Sequence, residues 1–274
     1  MQEITDVKEI QGVLLDGLKY FKSICEKNNL KYFLSNGTLI GAVKYGKFVP
    51  WDDDIDVLMP REDYNKLLSL VDVNNDRYKL ISPKTTPKWR STYAKLSDTT
   101  TILEETGFNL GLEIGIAIDI FPIDKWSSCK YRGKMQAFYY DFLKRLLIFA
   151  NADYFATDKS GIKKIILKSM HCFANLIGRK RLQKKIIKKA EKSYKYKDKF
   201  VGCVIWTCHS SKEVLPKEVF EKADYATFCG DTYPIPIDYK QYLTNLYGNW
   251  EQELPLEKQK SNHKIKAWWK NNEK

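Results

Sequence analysis

An acid-rich segment near the start of the chain constrains the fold more than any other feature. It reads Trp51-Asp52-Asp53-Asp54-Ile55-Asp56-Val57, with four acids in five consecutive positions. The alternation of polar and apolar residues over 53–59 predicts a half-buried strand, although strands tolerate Asp poorly. Neighbouring carboxylates also repel one another, so we expect the folded environment to compensate for this charge.

A metal ion is one way to compensate it. Asp54 and Asp56 are two residues apart, so on a strand both carboxylates project from the same face. A further acid, Asp119, interrupts the apolar run 116–121, and a buried lone Asp needs a partner or a metal. If the two strands are neighbours, the three acids converge and suit Mg²⁺ or Mn²⁺, as in two-metal phosphoryl transfer. The alternative is that residues 52–54 form a solvated turn and Asp119 caps a neighbouring helix.

A short segment upstream of the acids has the features of a phosphate contact. It reads Ser35-Asn36-Gly37-Thr38. Gly37 allows backbone amides to approach a ligand closely, and a helix predicted to begin there would direct N–H groups towards a phosphate. A Gly-Thr pair alone is weak evidence, but its position before the Asp-x-Asp strand strengthens this interpretation.

Together these segments resemble one known family. The matching residues are Gly37-Thr38-Leu39-Ile40-Gly41-Ala42-Val43, Gly46, Phe48-Val49-Pro50-Trp51-Asp52-Asp53-Asp54-Ile55-Asp56-Val57 and Pro60-Arg61-Glu62-Asp63-Tyr64. Further matches are Asp119-Ile120-Phe121-Pro122-Ile123-Asp124, Tyr247-Gly248-Asn249-Trp250, Leu254-Pro255 and His263. This pattern, over residues 30–263, closely resembles the LicD family of phosphocholine transferases, which have a nucleotidyltransferase-like fold and are related to fukutin-type ribitol-phosphate transferases. The family usually has Gly-Asp where this chain has Gly248-Asn249.

The resemblance implies an enzyme that transfers phosphocholine from CDP-choline to a sugar hydroxyl and releases CMP. The implied acceptor is a lipid-linked cell-surface glycan precursor of the teichoic acid or lipopolysaccharide type. Transfer of ribitol or glycerol phosphate from a CDP-activated donor is the alternative within the same chemistry. An inactive protein of the same fold that binds glycan or membrane is the alternative of another class.

The resemblance also assigns roles to individual residues. Asp54, Asp56 and Asp119 would be catalytic and would hold two Mg²⁺ or Mn²⁺ ions. The residues expected to contact the substrates are Ser35, Gly37, Thr38, Trp51, Asp53, Lys95 and His263.

Three of these residues have specific physical interpretations. Trp51 could bind a trimethylammonium group through a cation–π contact, and a C-terminal aromatic cluster offers further candidates: Tyr225, Phe228, Tyr233, Tyr247 and Trp250. Lys95 would pair with a donor phosphate or, alternatively, extend to the surface. His263 would bind a phosphate or stabilise the leaving group, unless it is an ordinary surface residue.

The charge of the chain is concentrated in one segment. Residues 159–199 hold 15 of the 46 basic residues but only 2 of the 34 acids, so they account for the net charge of +12. Apolar residues recur there at helical spacing, in one stripe of Leu167, Met170, Phe173, Ala174 and Ile177 and a second of Leu182, Ile186 and Ile187. The segment therefore predicts amphipathic helices that contact an anionic membrane. A solvated helical face and binding of an anionic glycan are the alternatives. A nucleotidyltransferase that acts on RNA would also suit this charge, but the chain has no recognisable RNA-binding module, and we expect no nucleic-acid partner.

Apolar periodicity predicts helices over 4–28, 131–150, 162–174 and 179–194, followed by a strand over 200–207 and by short helices and loops after Leu215. We predict an α/β protein with a nucleotidyltransferase-like mixed β-sheet flanked by helices and a basic helical insertion. Residues 1–128 would form the catalytic core, 129–199 the insertion, and 200–274 a C-terminal part that completes the substrate region. The N-terminus lacks the features of a signal peptide. We therefore expect a cytoplasmic protein at the inner face of the cell membrane.

Overall fold

The secondary structure changes along the chain, from mixed strands and helices to a helical stretch and back to strands. The computed structural model describes residues 1–70, 72–152, 161–197, 199–207, 209–261 and 265–270. The helices are α1 Val7–Lys27, α2 Asn36–Ile40, α3 Arg61–Leu67, α4 Lys130–Asn151, α5 Gly161–Ile177, α6 Arg179–Glu191 and α7 Tyr239–Tyr247. The strands are β1 Gln2–Ile4, β2 Phe33–Leu34, β3 Asp56–Pro60, β4 Tyr78–Ile81, β5 Ala94–Asp98, β6 Thr101–Glu105, β7 Ala117–Trp126, β8 Phe200–Gly202, β9 Leu215–Pro216, β10 Ala223–Phe228, β11 Asp231–Pro236 and β12 Ile265–Trp269.

The main sheet is mixed and has the order β2-β3-β7-β5-β4. Strands β3 and β7 are parallel, whereas β2, β5 and β4 join them by antiparallel pairing. Strand β8 pairs with the second half of β7, and β9 pairs with β8. The predicted α/β class with a mixed sheet is therefore confirmed.

Helix α1 confirms the amphipathic helix predicted over 4–28. The Asp6 carboxylate accepts the backbone N–H of Lys8 at 2.9 Å and caps its first turn. The apolar side of α1 is buried on the sheet. Gly17 packs against Ile118 of β7, so closely that a Cβ added at Gly17 would lie 3.5 Å from the isoleucine side chain. Burial of this face stabilises the helix more than helix propensity does.

Three sequence-based expectations need correction. The strand predicted over 53–59 begins at Asp56, so the first acids of the motif lie before it. The strand predicted over 200–207 ends at Gly202, although Val204 and Ile205 are buried in the following loop. The region after Leu215 was predicted as short helices and loops, but it contains the β10–β11 hairpin and β12.

The helical stretch leaves the sheet and returns to it at the same place. Trp126, the last residue of β7, pairs with Phe200, the first residue of β8. Helices α4, α5 and α6 lie between these strands and pack on one another. Among the described residues, no helix is both long and apolar enough to span a bilayer. The predicted domain boundaries at residues 128 and 199 stay predictions.

Candidate active site

Two acids and a lysine form a row across three strands of the main sheet. Asp56 of β3 lies opposite Asp119 of β7, and Asp119 lies opposite Lys95 of β5. Residues paired in this way project from the same face of a sheet. The sequence left open whether the two acidic strands are neighbours, and the pairing shows that they are.

Lys95 makes the closest contact in this row. Its Nζ donates to Asp119 Oδ1 at 2.5 Å and lies 3.8 Å from Glu105 Oε1 of β6. Both Lys95 and Asp119 are buried. The alternatives that Lys95 extends to the surface and that Asp119 caps a helix are therefore both wrong.

The carboxylates of this face share a strongly negative environment. Burial, followed by the charges of Asp54 and Asp119, raises the pKa of Asp56 well above its ordinary value. Burial also raises the pKa of Asp119 to about 6, against the opposing effect of Lys95. Burial alone would disfavour the Lys95 ammonium, but Asp119 and Glu105 outweigh it and raise the pKa of that lysine. The site therefore concentrates negative charge that a single lysine offsets only in part.

Asn36 and Tyr242 hold the Asp56 carboxylate in place, although the sequence analysis assigned neither of them to the site. Asn36 Nδ2 donates to Asp56 Oδ2 at 3.0 Å, and the Tyr242 hydroxyl of α7 donates to Asn36 Oδ1 at 2.9 Å. Burial raises the pKa of Tyr242 well above its ordinary value, so its hydroxyl keeps the proton that it donates. Asn36 has a left-handed φ of 48°, which Asn adopts more readily than most residues. Asn36 lies inside the motif Ser35–Thr38, whereas no pattern in the sequence pointed to Tyr242.

The predicted phosphate-contact residues lie at the start of α2, next to β3. Thr38 Oγ1 accepts the backbone N–H of Asp56 at 3.0 Å and so ties α2 to the acidic strand. A Cβ at Gly37 would lie 2.5 Å from Asp52 Oδ2, so a larger residue there would displace that carboxylate. The buried Ser35 Oγ has no hydrogen-bond partner within the described part of the chain. The contact of these residues with a donor phosphate stays a prediction.

The remaining predicted substrate residues are partly placed. Asp54 and Trp51 are half-buried in the segment before β3. Asp53 is buried and its Oδ2 accepts the Ser261 hydroxyl at 2.6 Å, which holds the C-terminal region against the acidic motif. His263 lies outside the described residues.

The candidate choline-binding aromatics do not form one exposed cluster. Phe228 and Tyr233 are buried in the core, where their rings contact each other edge to face. Tyr225 is 65% exposed on the β10–β11 hairpin. Trp250 Nε1 donates to Thr244 Oγ1 at 3.2 Å. None of these contacts assigns a choline site.

The side chains of this face suit a divalent cation in kind. Asp54, Asp56 and Asp119 offer hard carboxylate oxygens, and their charges act on one another. No three His, Cys, Asp or Glu side chains among the described residues form a complete metal cluster by themselves. Because Mg²⁺ is usually held by one or two carboxylates together with substrate phosphates and water, this donor set fits it.

The candidate site lies within a part of the chain that matches a known protein family. Residues 29–147 match the family "LicD/FKTN/FKRP, nucleotidyltransferase domain". The lipopolysaccharide cholinephosphotransferase LicD of Haemophilus influenzae is 27% identical over 283 aligned positions, which cover 98% of this chain and 99% of that relative. The chain is similar to LicD family proteins, and residues 29–147 match the family's nucleotidyltransferase domain. The matched LicD domain includes the three residues of the cross-strand row, whereas Tyr242 lies beyond it.

Two further relatives match only locally. Uncharacterized proteins of Rickettsia prowazekii and Rickettsia typhi are each 41% identical to this chain over 46 residues, which is 17% of its length. The match covers 17% of the first relative and 15% of the second. These short matches carry no information on activity.

Proposed function

We propose that this protein transfers phosphocholine from CDP-choline to a sugar hydroxyl of a lipid-linked glycan, with release of CMP. The observation that carries the proposal is the near full-length similarity to a lipopolysaccharide cholinephosphotransferase. The row formed by the half-buried Asp56 and the buried Asp119 and Lys95 supports it, because phosphoryl transfer depends on charged groups held in a fixed arrangement. Lipopolysaccharide-type and teichoic acid-type glycans are both candidate acceptors.

The residues of the site would divide the work between binding and proton transfer. Asp54 and Asp56 would hold Mg²⁺ or Mn²⁺, with Asp119 completing the set. When bound, the cations would neutralise charge on the transferred and leaving phosphates. Asn36 and Tyr242 would fix the Asp56 carboxylate, and Lys95 would fix Asp119 Oδ1.

Asp119 is also the candidate general base. Its carboxylate lies in the row beside Asp56, so it could accept the proton of a hydroxyl bound at this face. Lys95 occupies its Oδ1, so Oδ2 would take the proton of the acceptor hydroxyl. Ser35, Gly37 and Thr38 would contact the donor phosphate, and Trp51, Asp53 and His263 would contact the substrates.

Donor profiling tests the proposal. Purified protein, Mg²⁺ and a glycan acceptor are incubated with CDP-choline, CDP-ribitol or CDP-glycerol, and CMP release is measured. We expect acceptor-dependent release from CDP-choline that EDTA abolishes and Mg²⁺ or Mn²⁺ restores. Release from CDP-ribitol or CDP-glycerol alone would support the alternative donors, and no release from any donor would support an inactive binding protein.

Site variants separate chemistry from folding. Asp54→Asn, Asp56→Asn and Asp119→Asn should each lose CMP release while circular dichroism shows a folded protein. Asp76→Asn, outside the described contacts of the site, is the matched control and should keep activity. Full turnover in Asp56→Asn would contradict the metal assignment.

A further inference from the structure

Helix α5 is apolar on two faces, and only one of them is covered. Its inward side contains the buried Ala174 and the half-buried Leu167, Met170 and Ile177, four of the five residues of the predicted apolar stripe. The fifth, Phe173, lies on the adjacent, exposed side. The large apolar residues exposed on that side are Ile162, Ile165, Ile166, Phe173 and Leu176, with exposed fractions of 76%, 66%, 56%, 51% and 82%.

The spacing of these exposed residues defines a continuous outer face. Successive residues of an α-helix are rotated by about 100°, so positions 162, 166, 173 and 176 lie along one side. The helix has 17 residues, and at about 1.5 Å per residue the face extends over roughly 25 Å. The exposed side chains of Lys164 and Lys168 lie at its border. A helix with large apolar residues, bordered by lysines, has the pattern of a helix in a membrane interface.

Helix α4, which packs on α5, repeats the pattern. Its exposed residues Tyr131, Met135, Phe138 and Phe142 follow at intervals of four, three and four, which places them on one side of the helix. The opposite side is buried. Two adjacent helices thus each expose a row of large apolar residues, which soluble surfaces rarely do.

A basic groove adjoins the α4 row. It has a volume of about 410 Å³ and lies between α4 and the end of α6. Its lining residues are Met135, Gln136, Tyr139, Tyr140, Lys189, Lys192, Lys195 and Tyr196. Lys189 Nζ lies 4.9 Å from the centre of the Tyr139 ring. None of these three lysines forms an ion pair with a carboxylate in the described part of the chain. The groove therefore suits a phosphate group with an apolar chain beside it.

Charge decides between the possible occupants of this surface. A second copy of the chain would bring two strongly basic segments together, because residues 159–199 carry 15 basic residues and 2 acids. An anionic bilayer instead supplies phosphates for the lysines and hydrocarbon for the exposed side chains. The exposed apolar rows and the groove together favour the bilayer.

We propose that α4, α5 and the groove beside α6 form a docking surface for a bilayer that contains anionic phospholipid. The exposed rows of α4 and α5 enter the interface, and the groove binds the phosphate of a lipid headgroup. This inference does not depend on the proposed transferase activity. It moves the predicted contact from the covered stripe of α5 to the adjacent exposed face, keeps Phe173, and adds α4 to the surface.

Vesicle co-sedimentation with the full chain tests the proposal. The probes are phosphatidylcholine vesicles with and without phosphatidylglycerol. We expect binding to the anionic vesicles only, weakened by salt. The triple variant Ile165→Ser, Phe173→Ser and Leu176→Ser should bind at least about tenfold more weakly. The pair Lys192→Glu and Lys195→Glu should weaken binding by about fivefold for each lysine.

Matched controls lie on another surface. Leu256→Ser changes a residue that is 82% exposed in the C-terminal region, and Lys8→Glu reverses an exposed charge on α1. Both should bind like the wild type, and all variants should keep the wild-type circular dichroism. The proposal is overturned if wild-type protein ignores anionic vesicles or if the triple variant and Leu256→Ser bind equally. It is also overturned if light scattering shows a dimer that the triple variant dissociates, since a second copy would then cover the face.

Discussion

At the scale of single residues, Lys95 decides how the buried acids are tolerated. Its ammonium lies 2.5 Å from Asp119 and 3.8 Å from Glu105, with almost no exposure to solvent. The pair itself adds little net stability, because both ions were removed from water. Loss of one partner is a different matter, since the remaining buried charge then has neither water nor a counter-ion.

Lys95→Met should therefore destabilise the protein by about 3 kcal/mol, measured by urea unfolding. The matched control is Lys79→Met, an exposed lysine on the neighbouring strand β4, for which we expect a change within about 0.5 kcal/mol. Equal unfolding midpoints for the two variants would contradict the ion pair. CMP release should also fall in Lys95→Met, because Asp119 loses the contact that orients it.

Asn36 and Tyr242 form a chain of hydrogen bonds to Asp56 and should act as positioning residues. Asn36→Ala should lower kcat by about 10–100-fold, the range typical of residues that orient metal ligands. Tyr242→Phe should lower kcat less and raise the Mg²⁺ concentration needed for half-maximal rate. Tyr194→Phe, at a tyrosine that is 68% exposed and has no assigned role in the site, is the control. A normal metal dependence in Asn36→Ala would show that its contact with Asp56 is dispensable.

The sequence predicted the acids of the site better than their partners. Asp56 and Asp119 could be predicted because acids inside apolar strands are costly and conspicuous. Lys95 was equally compatible with a surface position, since a lysine stem can lie along a strand and reach solvent. Tyr242 is 206 positions from Asn36, and no local pattern reports a contact of that range.

At the scale of elements, a buried ion pair fixes α3 against β7. Arg61 Nε and Nη2 donate to the two carboxylate oxygens of Asp124, each at 2.7 Å. Arg61→Ala should destabilise the protein by about 3–5 kcal/mol in urea unfolding, because Asp124 is 2% exposed and would keep its charge unpaired. The control is Arg145→Ala, which removes one of the two partners of Asp141 from a position that is 68% exposed. That variant should lose less than about 1 kcal/mol, and comparable losses would contradict a special role for the Arg61 pair.

The predicted elements were most accurate where periodicity was strong. Helices α1, α4, α5 and α6 follow their predicted ranges within a few residues, because their apolar faces are long and regular. The β10–β11 hairpin was missed because Pro234 and Pro236 normally exclude a strand. Both are accommodated because β11 belongs to a two-stranded sheet. Strand β12 pairs with β1 and β6, and such long-range pairing has no local signal.

At the scale of the whole molecule, charge and chemistry lie in different places. The acids of the candidate site lie on β3 and β7, whereas the surplus of basic residues lies in α5, α6 and the residues that follow. Outside residues 159–199, the chain holds 31 basic and 32 acidic residues, so it is close to neutral. The net charge of +12 therefore reflects the basic residues of 159–199 and gives no information about the candidate active site.

This separation predicts two different responses to salt. Raising the salt concentration from about 0.1 to 1 M shortens the screening length from about 10 to 3 Å. Transfer to a lipid-linked acceptor in anionic vesicles should then fall severalfold, because attraction between the basic surface and the lipid weakens. Transfer to a water-soluble fragment of the same glycan should change little, because the charges of the site are buried and close together. CMP release measured with both acceptors across the salt series checks this. A parallel decline with the two acceptors would mean that the basic segment acts on the glycan or the donor instead of the membrane.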